Sequence, residues 1–329
     1  AATLRRPPRA MEAEAAFRAM GTEVHVVVHG PVELAEVARE QIELLESLWS
    51  RFRDTSEVSE LNRRAGSWVQ VSPPTLDLVA RAIQGWQVTE GRFDPTVLGD
   101  VIRSGYDRSF DELRDVADRD GRIDPVDLTD PTRSHLHRFA GGIMIDREAG
   151  AVRIPAGVGF DPGGIGKGLA ADLVAEHISF EGAAGVVVNI GGDLRALGIG
   201  PAGDDWTIDV DPAHTGVPLT RVALEQGGLA TSTVLRRRWQ VGDESRHHLI
   251  DPSTGRPTDH GVVSATVLAG QAWQAEVLAK VALTRPIADG LEAIAAREAD
   301  ALLVDAFGGL HPTPGFARFT AEPAHTGGS

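Results

Sequence analysis

The stretch DPGGIGKGLAADLV, residues 161–174, combines four glycines with a lysine and then becomes apolar. Glycines let a backbone approach a ligand closely, and the start of a helix offers free N–H groups to an anion. It is not a Walker loop, because Lys167 is followed by Gly168 and not by Ser or Thr. It is not a dinucleotide fingerprint either, because Leu169 stands where the last glycine is needed. We expect a phosphate-binding turn that leads into a helix, with a plain glycine-rich turn and a surface lysine as the alternative.

Two other stretches place polar groups beside turns. In NIGGDLRALG, Gly191 and Gly192 follow a buried strand predicted over residues 186–190, and Asp193 can hydrogen-bond a ligand. A hairpin turn explains these residues equally well. In HHLIDPSTGRP, one histidine near Asp251 can serve as a base, whereas an Asp-Pro turn with solvated histidines is the alternative.

Glu276 and Lys280 stand four residues apart in AEVLAKVAL, which places them on one face of a predicted helix. A surface pair at this spacing contributes about 0.3–0.5 kcal/mol. Alanine and leucine surround the pair on all sides, so we expect a buried helix. Burying a charged pair is costly, so a pair inside such a helix points to a functional role.

Both strands and helices are predicted around these residues. Val24, Val26 and Val28 alternate with more polar residues and predict a half-buried strand. An amphipathic helix follows over residues 31–52, and Pro73 begins another. Strands and helices do not alternate regularly, which favours an α+β fold with mainly antiparallel sheets.

Composition narrows the class of protein. The chain has 329 residues and a net charge of −15, which argues against nucleic acid as a partner. It contains no cysteine, which excludes disulfides, thiolate zinc sites, a cysteine nucleophile and a lipid-anchored cysteine in this sequence. No run approaches the roughly 18 apolar residues that span a bilayer, and no signal peptide is recognisable. We therefore expect a cytoplasmic protein, with an export signal outside this sequence as the alternative.

The order of the motifs along the chain is more informative about the protein family than any single motif. MGT, FDPTV, DPGGIGKGLAADLV, VNIGGDLRALG, ATS, HHLIDPSTGRP and AEVLAKVAL occur in this order between residues 18 and 315. In this the chain resembles the ApbE family of flavin transferases. The resemblance implies one α+β domain over residues 16–318, with a ligand cleft between two interleaved subdomains. Residues 1–15 would then be a disordered lead-in and residues 319–329 a flexible tail.

The resemblance also implies an activity. Members of the family bind FAD with Mg²⁺ and transfer FMN to a threonine or serine hydroxyl of a partner protein, releasing AMP. Some hydrolyse FAD to FMN and AMP instead, so an FAD pyrophosphatase is one alternative. A non-catalytic FAD-binding protein is another.

Roles follow for the positions that match the family motifs. The resemblance implies that His248 is the general base toward the incoming hydroxyl and that Asp251 positions its loop. It implies that the cofactor is bound by Met20, Gly21, Thr22, Asp94, Gly164, Lys167, Gly191, Gly192, Asp193, Thr231, Ser232 and Thr254.

The implied metal site is where this chain departs from the family. The family has Asp on the late helix, then Thr or Ser four residues on, and a backbone carbonyl near the Gly-Lys-Gly motif. The matching positions here are Glu276, Lys280 and Gly166. Either Glu276 still holds Mg²⁺ with water in place of the hydroxyl, or the Lys280 ammonium supplies part of the metal's charge. The run 236–238, three arginines, is a further local source of positive charge or simply a solvated basic segment.

Overall fold

The computed structural model describes residues 12–113, 136–200, 203, 205–213, 215–241 and 244–320. The principal α-helices are α1 Leu34–Trp49, α2 Glu57–Arg63, α3 Pro73–Val88, α4 Leu98–Arg103, α5 Gly166–Phe180, α6 Ala272–Leu283 and α7 Ile287–Ala295. The strands are β1 Glu12–Ala19, β2 Thr22–His29, β3 Trp68–Gln70, β4 Met144–Asp146, β5 Ala151–Arg153, β6 Gly185–Ile190, β7 Asp193–Gly198, β8 Trp206–Val210, β9 Thr220–Leu224, β10 Gly227–Thr233, β11 Arg238–Val241, β12 Glu244–His247, β13 Ile250–Asp251, β14 Arg256–Pro257, β15 Val262–Ala269, β16 Asp300–Asp305 and β17 Leu310–Pro312.

Eight strands form one sheet in the order β1-β2-β6-β7-β10-β15-β16-β17. Each neighbouring pair in it is antiparallel. Strands β3, β5 and β4 form a smaller sheet, and β8–β9, β11–β12 and β13–β14 are two-stranded ribbons. The α+β fold with mainly antiparallel sheets is therefore confirmed.

A layer of helices covers one face of the large sheet. Val24, Val26 and Val28 of β2 point into the core that α1 and α5 close, whereas Val27 faces the other side. This is the alternation that the sequence predicted, since successive side chains of a strand point to opposite faces. The predicted helix over residues 31–52 is α1, which begins and ends three residues inside those bounds.

Helices α5 and α6 lie in the middle of this layer and pack against each other and against the sheet. Ten of the twelve residues of α6 are buried, which confirms the buried helix expected around Glu276. Among the described residues, no helix combines the length and the apolar character that crossing a bilayer requires.

The opposite face of the sheet is covered by the β8–β9 ribbon and the chain after β17. Trp206, Val222 and Leu224 from the ribbon pack with Leu229 and Phe316 in a separate apolar cluster. The central strands β6, β7, β10, β15 and β16 are thus largely buried on both faces, which fixes their register.

The predicted terminal boundaries need correction. The predicted lead-in includes residues 12–15, but these belong to β1, where Ala13 and Ala15 pack against the core and pair with Val28 and Val26 of β2. Alanine is too small to produce a strong apolar alternation, so this strand has only a weak pattern in the sequence. The predicted tail begins at 319, yet the backbone at 320 still pairs with β9. Residues 1–11 and 321–329 lie outside the described residues, and the division into subdomains stays a prediction.

Candidate active site

A cavity of about 420 Å³ lies where the N-terminal end of α5 meets the β1–β2 turn, the segment after α1 and the loop after β12. The residues around it include Met20, Gly21, Arg51, Phe52, Asp94, Tyr106, Asp161, Gly163, Gly164, Gly166, Lys167, Arg237, His248 and Lys280.

The β1–β2 turn brings backbone to the cavity because it is very tight. Met20 and Gly21 both have positive φ angles, 51° and 68°, as a two-residue hairpin turn of the primed type requires. The Arg237 guanidinium donates to the Gly21 carbonyl oxygen at 3.3 Å. This contact joins the turn to the arginine run 236–238.

The glycine-rich turn before α5 is built around side chains. Asp161 accepts a hydrogen bond from the Gly163 N–H at 2.8 Å, and the Arg51 guanidinium lies 3.7 Å from the same carboxylate. A Cβ at Gly164 would lie 2.6 Å from the Phe93 ring and 3.3 Å from Cδ of Lys280. Glycine is favoured there because any side chain would collide with the Phe93 ring and also crowd the Lys280 side chain.

Gly168 allows α5 and α6 to come very close together. A Cβ on Gly168 would lie 2.5 Å from the Ala272 carbonyl oxygen. The close approach lets Asp172 of α5 accept the N–H groups of Ala272 and Trp273, both at 2.9 Å, and so cap α6. It also brings the Gly168 N–H to the Glu276 carboxylate at 2.8 Å.

Glu276 is fully buried between these helices and forms ion pairs with both lysines of the site. Its Oε1 accepts from Lys280 Nζ at 3.0 Å and lies 3.6 Å from Lys167 Nζ, while its Oε2 accepts the Gly168 amide. Lys167 also forms an ion pair with Asp193, which is buried at the start of β7. Two ammonium groups and two carboxylates therefore form one buried cluster at the edge of the cavity.

The charges in this cluster shift one another's pKa values. Burial lowers the pKa of Lys167 to about 8, against the attraction of Glu276, and Lys280 lowers it further. Burial alone would raise the pKa of Glu276, but Lys167, Lys280 and the Gly168 amide outweigh it and hold that pKa below its usual value. At neutral pH the carboxylate is charged and Lys167 is an ammonium ion.

His248 stands beside the cluster in the loop after β12. Its Nδ1 is buried and has no hydrogen-bond partner among the described residues. Burial lowers the pKa of His248 well below 6.5, and the positive charges of Arg237 and Lys280 lower it further. The imidazole is therefore neutral at pH 7 and free to accept a proton.

Aromatic rings and an arginine form the other end of the cavity. The Arg51 guanidinium lies 4.1 Å from the Phe52 ring centre and 4.7 Å from that of Tyr106. Tyr106 packs against Trp239 at 5.5 Å and meets His248 edge-on at 6.4 Å between ring centres. His248 thus lies where the charged end meets the aromatic end.

Comparison with known proteins agrees with this geometry. Residues 20–303 match the model of the ApbE family. The chain belongs to the ApbE family. It is 29% identical over 292 residues to an FAD:protein FMN transferase of Treponema pallidum, covering 82% of this chain and 78% of that protein. Over 238 residues it is 31% identical to a protein of the same name in Vibrio cholerae, covering 70% of this chain and 66% of that one.

A solved ApbE structure has the same fold. The ApbE protein of Thermotoga maritima superposes with a TM-score of 0.79 at 27% identity, covering 95% of this chain and 100% of that chain. The family resemblance read from the order of the motifs is therefore confirmed over most of the chain.

The ApbE fold brings many of the predicted site residues to one cavity. The residues of that set that line the cavity are Met20, Gly21, Asp94, Gly164, Gly166, Lys167, His248 and Lys280. Asp94 uses its carboxylate locally, since its Oδ1 accepts the backbone N–H of Thr96 at 2.7 Å and the hydroxyl of the same residue at 2.5 Å. That carboxylate shapes the turn of FDPTV at the cavity wall.

A second group lies directly behind the lining. Glu276 and Asp193 form ion pairs with Lys167 on the side away from the cavity. A Cβ on Gly191 would meet the Thr22 hydroxyl at 2.4 Å, so this glycine allows the β6–β7 turn to pack on the start of β2. The neighbouring Gly192 donates its N–H to the Asn189 side chain at 2.9 Å. These residues support the β1–β2 turn and Lys167 and do not line the cavity.

The remaining predicted residues do not line the cavity. The hydroxyl of Thr231 pairs with that of Thr266 at 3.0 Å within the sheet, next to the buried Ser232. Asp251 accepts from the backbone N–H of Ser253 at 2.8 Å and lies 3.0 Å from the His260 ring nitrogen, so it shapes its own turn. Thr254 is exposed on that turn, outside the residues that line the cavity.

Sequence reasoning missed two features of the site. The aromatic end, with Arg51, Phe52 and Tyr106, comes from segments distant in sequence that share no motif. The other feature was visible in the sequence: Lys167 and Lys280 are the only two lysines, and the other 30 of the 32 basic residues are arginine. Both lysines contact the same buried carboxylate.

Proposed function

We propose that this chain is an FAD:protein FMN transferase, which moves FMN from FAD to a threonine or serine hydroxyl of a partner protein and releases AMP. The observation that carries the proposal is one cavity in which a neutral histidine, His248, stands beside two ammonium groups, Lys167 and Lys280. The cavity belongs to a chain whose named relatives are FMN transferases. Those names favour transfer over hydrolysis of FAD or mere FAD binding.

The two ends of the cavity suit the two parts of FAD. The diphosphate needs cations and N–H donors, which Lys167, Lys280 and the N-terminal end of α5 supply. The flavin ring needs a flat apolar wall, which Phe52 and Tyr106 supply. FAD then lies across the cavity with its FMN phosphorus beside His248, where the two ends meet.

The reaction is a phosphoryl transfer in which positioning and charge neutralisation dominate. The acceptor hydroxyl oxygen forms a bond to the FMN-side phosphorus, and the bond from that phosphorus to the bridging oxygen breaks. AMP leaves with that electron pair, and the hydroxyl proton passes to His248. A neutral imidazole is needed for this step, and the lowered pKa of His248 keeps it neutral.

The residues around Glu276 do not fit the divalent cation that the family implies. Glu276 has no exposure, its two oxygens already accept hydrogen bonds from Lys280 and Gly168, and the Lys167 ammonium lies 3.6 Å from one of them. A protonated lysine cannot be a ligand. Within the part of the chain that the structure describes, no three His, Cys, Asp or Glu side chains are grouped so as to hold a metal. The transfer step therefore uses the side chains of this chain and the two substrates alone.

The test is a mass measurement on the acceptor. The protein is incubated with FAD and a candidate acceptor flavoprotein that has a target threonine or serine, and the acceptor is weighed for one added FMN. We expect AMP release that depends on the acceptor and is lost in its Thr→Val or Ser→Ala variant. FMN release without acceptor would identify a pyrophosphatase, and bound FAD without AMP release would identify a binding protein.

A further inference from the structure

The two lysines of this chain sit together at the one place where the proposed function needs positive charge. Their side chains are 21% and 18% exposed, and both face the cavity from above Glu276. Everywhere else the chain uses arginine, 30 times, as its permanent cation. A compact ammonium with three donors is therefore confined to this cluster.

The geometry of the cluster leaves donors for a ligand. Lys280 lines the cavity and donates one N–H to Glu276, and an ammonium group has two further N–H donors. Gly164 leaves room for this side chain, since a Cβ there would lie 3.3 Å from its Cδ. Arg237, which also lines the cavity, adds a third positive charge. The carboxylates paired with the two lysines are Glu276 and Asp193, so three positive charges meet two negative ones in this group and an added anion would balance it.

The same contacts exclude a metal on chemical grounds. A divalent cation at Glu276 would have to displace both ammonium groups from a carboxylate with no exposed surface, and would be repelled by them. Mg²⁺ also prefers several oxygen ligands in near-octahedral geometry. The side chain at 280 offers nitrogen donors only.

We propose that Lys167 and Lys280 are a resident cation pair that binds the diphosphate of FAD, so that FAD binding and FMN transfer need no divalent metal. Glu276 is a positioning residue that holds the two ammonium groups at the N-terminal end of α5. The proposal rests on the proposed function for the identity of the ligand, FAD. What it adds is the identity of the groups that neutralise the diphosphate, namely the two lysines.

The first test compares two ligands that differ in phosphate. FAD and riboflavin, which has the flavin ring and no phosphate, are titrated into the flavin-free full chain with EDTA or with MgCl₂. We expect the Kd for FAD to differ by less than about twofold between the two conditions, since no counterion needs to be released or bound. Lys167→Met and Lys280→Met should each weaken FAD at least about tenfold, because a desolvated charge-assisted contact is lost.

Matched controls make this result specific. Riboflavin affinity should change less than about twofold in both lysine variants, since its ring contacts lie at the aromatic end. Arg39→Met removes a positive charge from the exposed face of α1 and should leave FAD binding unchanged. FAD binding that needs Mg²⁺, or lysine variants that bind FAD as the unchanged chain does, would overturn the proposal.

The second test observes the lysines directly and does not depend on activity. Protein grown with lysine labelled with ¹³C at Cε has only two labelled side chains, which the two methionine variants assign. We expect both resonances to shift when FAD is added in EDTA and neither to shift with MgCl₂ alone. A shift of both resonances with MgCl₂ alone would show that a metal enters the cluster, and would reject the proposal.

Glu276→Gln tests the positioning role. The amide keeps the size of the side chain but loses the charge that orders the two ammonium groups. We expect weaker FAD binding, unchanged riboflavin binding and two Cε resonances that move toward the positions of solvated lysine. Unmoved resonances would remove the positioning role from Glu276. Failure of the acceptor to gain FMN, with FAD binding still dependent on the lysines and indifferent to EDTA, would refute only the proposed function.

Discussion

The charged end and the aromatic end of the cavity are built in different ways. The charged end lies between two helices whose close approach depends on Gly168, and its carboxylate is held by a backbone amide and two lysines. The aromatic end comes from loops, where the Arg51 guanidinium lies against the rings of Phe52 and Tyr106. The charged end, set between packed helices, selects for charge, whereas the aromatic end offers a flat surface. The comparison predicts that damage to each end will affect ligands differently.

His248 joins the two ends, and its loss should have the largest effect. His248→Asn should lower kcat/KM for FMN transfer by about 10²–10⁴-fold, the range for a lost general base, with FAD binding largely retained. His25→Asn, an exposed histidine on β2, is the control and should have no effect. Equal losses of affinity and rate would show that His248 binds FAD and does not move a proton.

The charged end should also set the pH dependence. Burial, together with Arg237 and Lys280, holds the pKa of His248 well below 6.5, so the acid limb of kcat/KM should fall well below pH 6.5. Arg237→Gln removes one of these charges and should move the acid limb upward. Since the unfolded chain binds a proton near pH 6.5 that the folded chain refuses, His248 also makes stability fall as pH drops below that value. An acid limb at 6.5 in the unchanged protein would contradict the assignment.

The next largest effect is expected from disturbing the packing of α5 against α6, which supports the charged end. Gly168→Ala places a Cβ 2.5 Å from a backbone oxygen of α6 and should lower the free energy of unfolding by about 1–3 kcal/mol. It should also weaken FAD more than riboflavin, because it moves Glu276 and the lysines. Gly270→Ala, where the nearest atom lies 3.7 Å away, is the matched control. Chemical denaturation and ligand titration measure both effects.

The two ends also differ in how far sequence could predict them. The charged end was found because glycines, Lys167 and the Glu276–Lys280 spacing lie in short stretches with a recognisable order. The sequence did not predict that both carboxylate oxygens of Glu276 are occupied by contacts, because these contacts depend on the distance between two helices remote in sequence. The pairing of Arg51 with Tyr106 had no local signal at all. In the same way, the alternation of Val24, Val26 and Val28 predicted β2, whereas the small side chains of β1 hid that strand.

Damage to the aromatic end should be moderate and independent of phosphate. Tyr106→Leu removes a ring that contacts Arg51 and Trp239 and should weaken FAD and riboflavin by the same factor, about tenfold. Phe180→Leu, at an aromatic residue that is 86% exposed at the end of α5, should change neither. If Tyr106→Leu weakens FAD alone, the flavin ring does not lie at this end and the division of the cavity is wrong.

The smallest effect is expected at Thr254, where the family resemblance and the geometry disagree. The resemblance assigns this residue to the cofactor, but its side chain is exposed, and its hydroxyl contacts the backbone of Asp251 at 3.4 Å. Thr254→Ala should change stability by no more than about 0.5 kcal/mol, as for most surface positions, and leave FAD and riboflavin binding within error of the unchanged chain. A clear loss of FAD affinity would mean that the turn after Asp251 closes over the ligand. The charged end would then include a loop as well as the two helices.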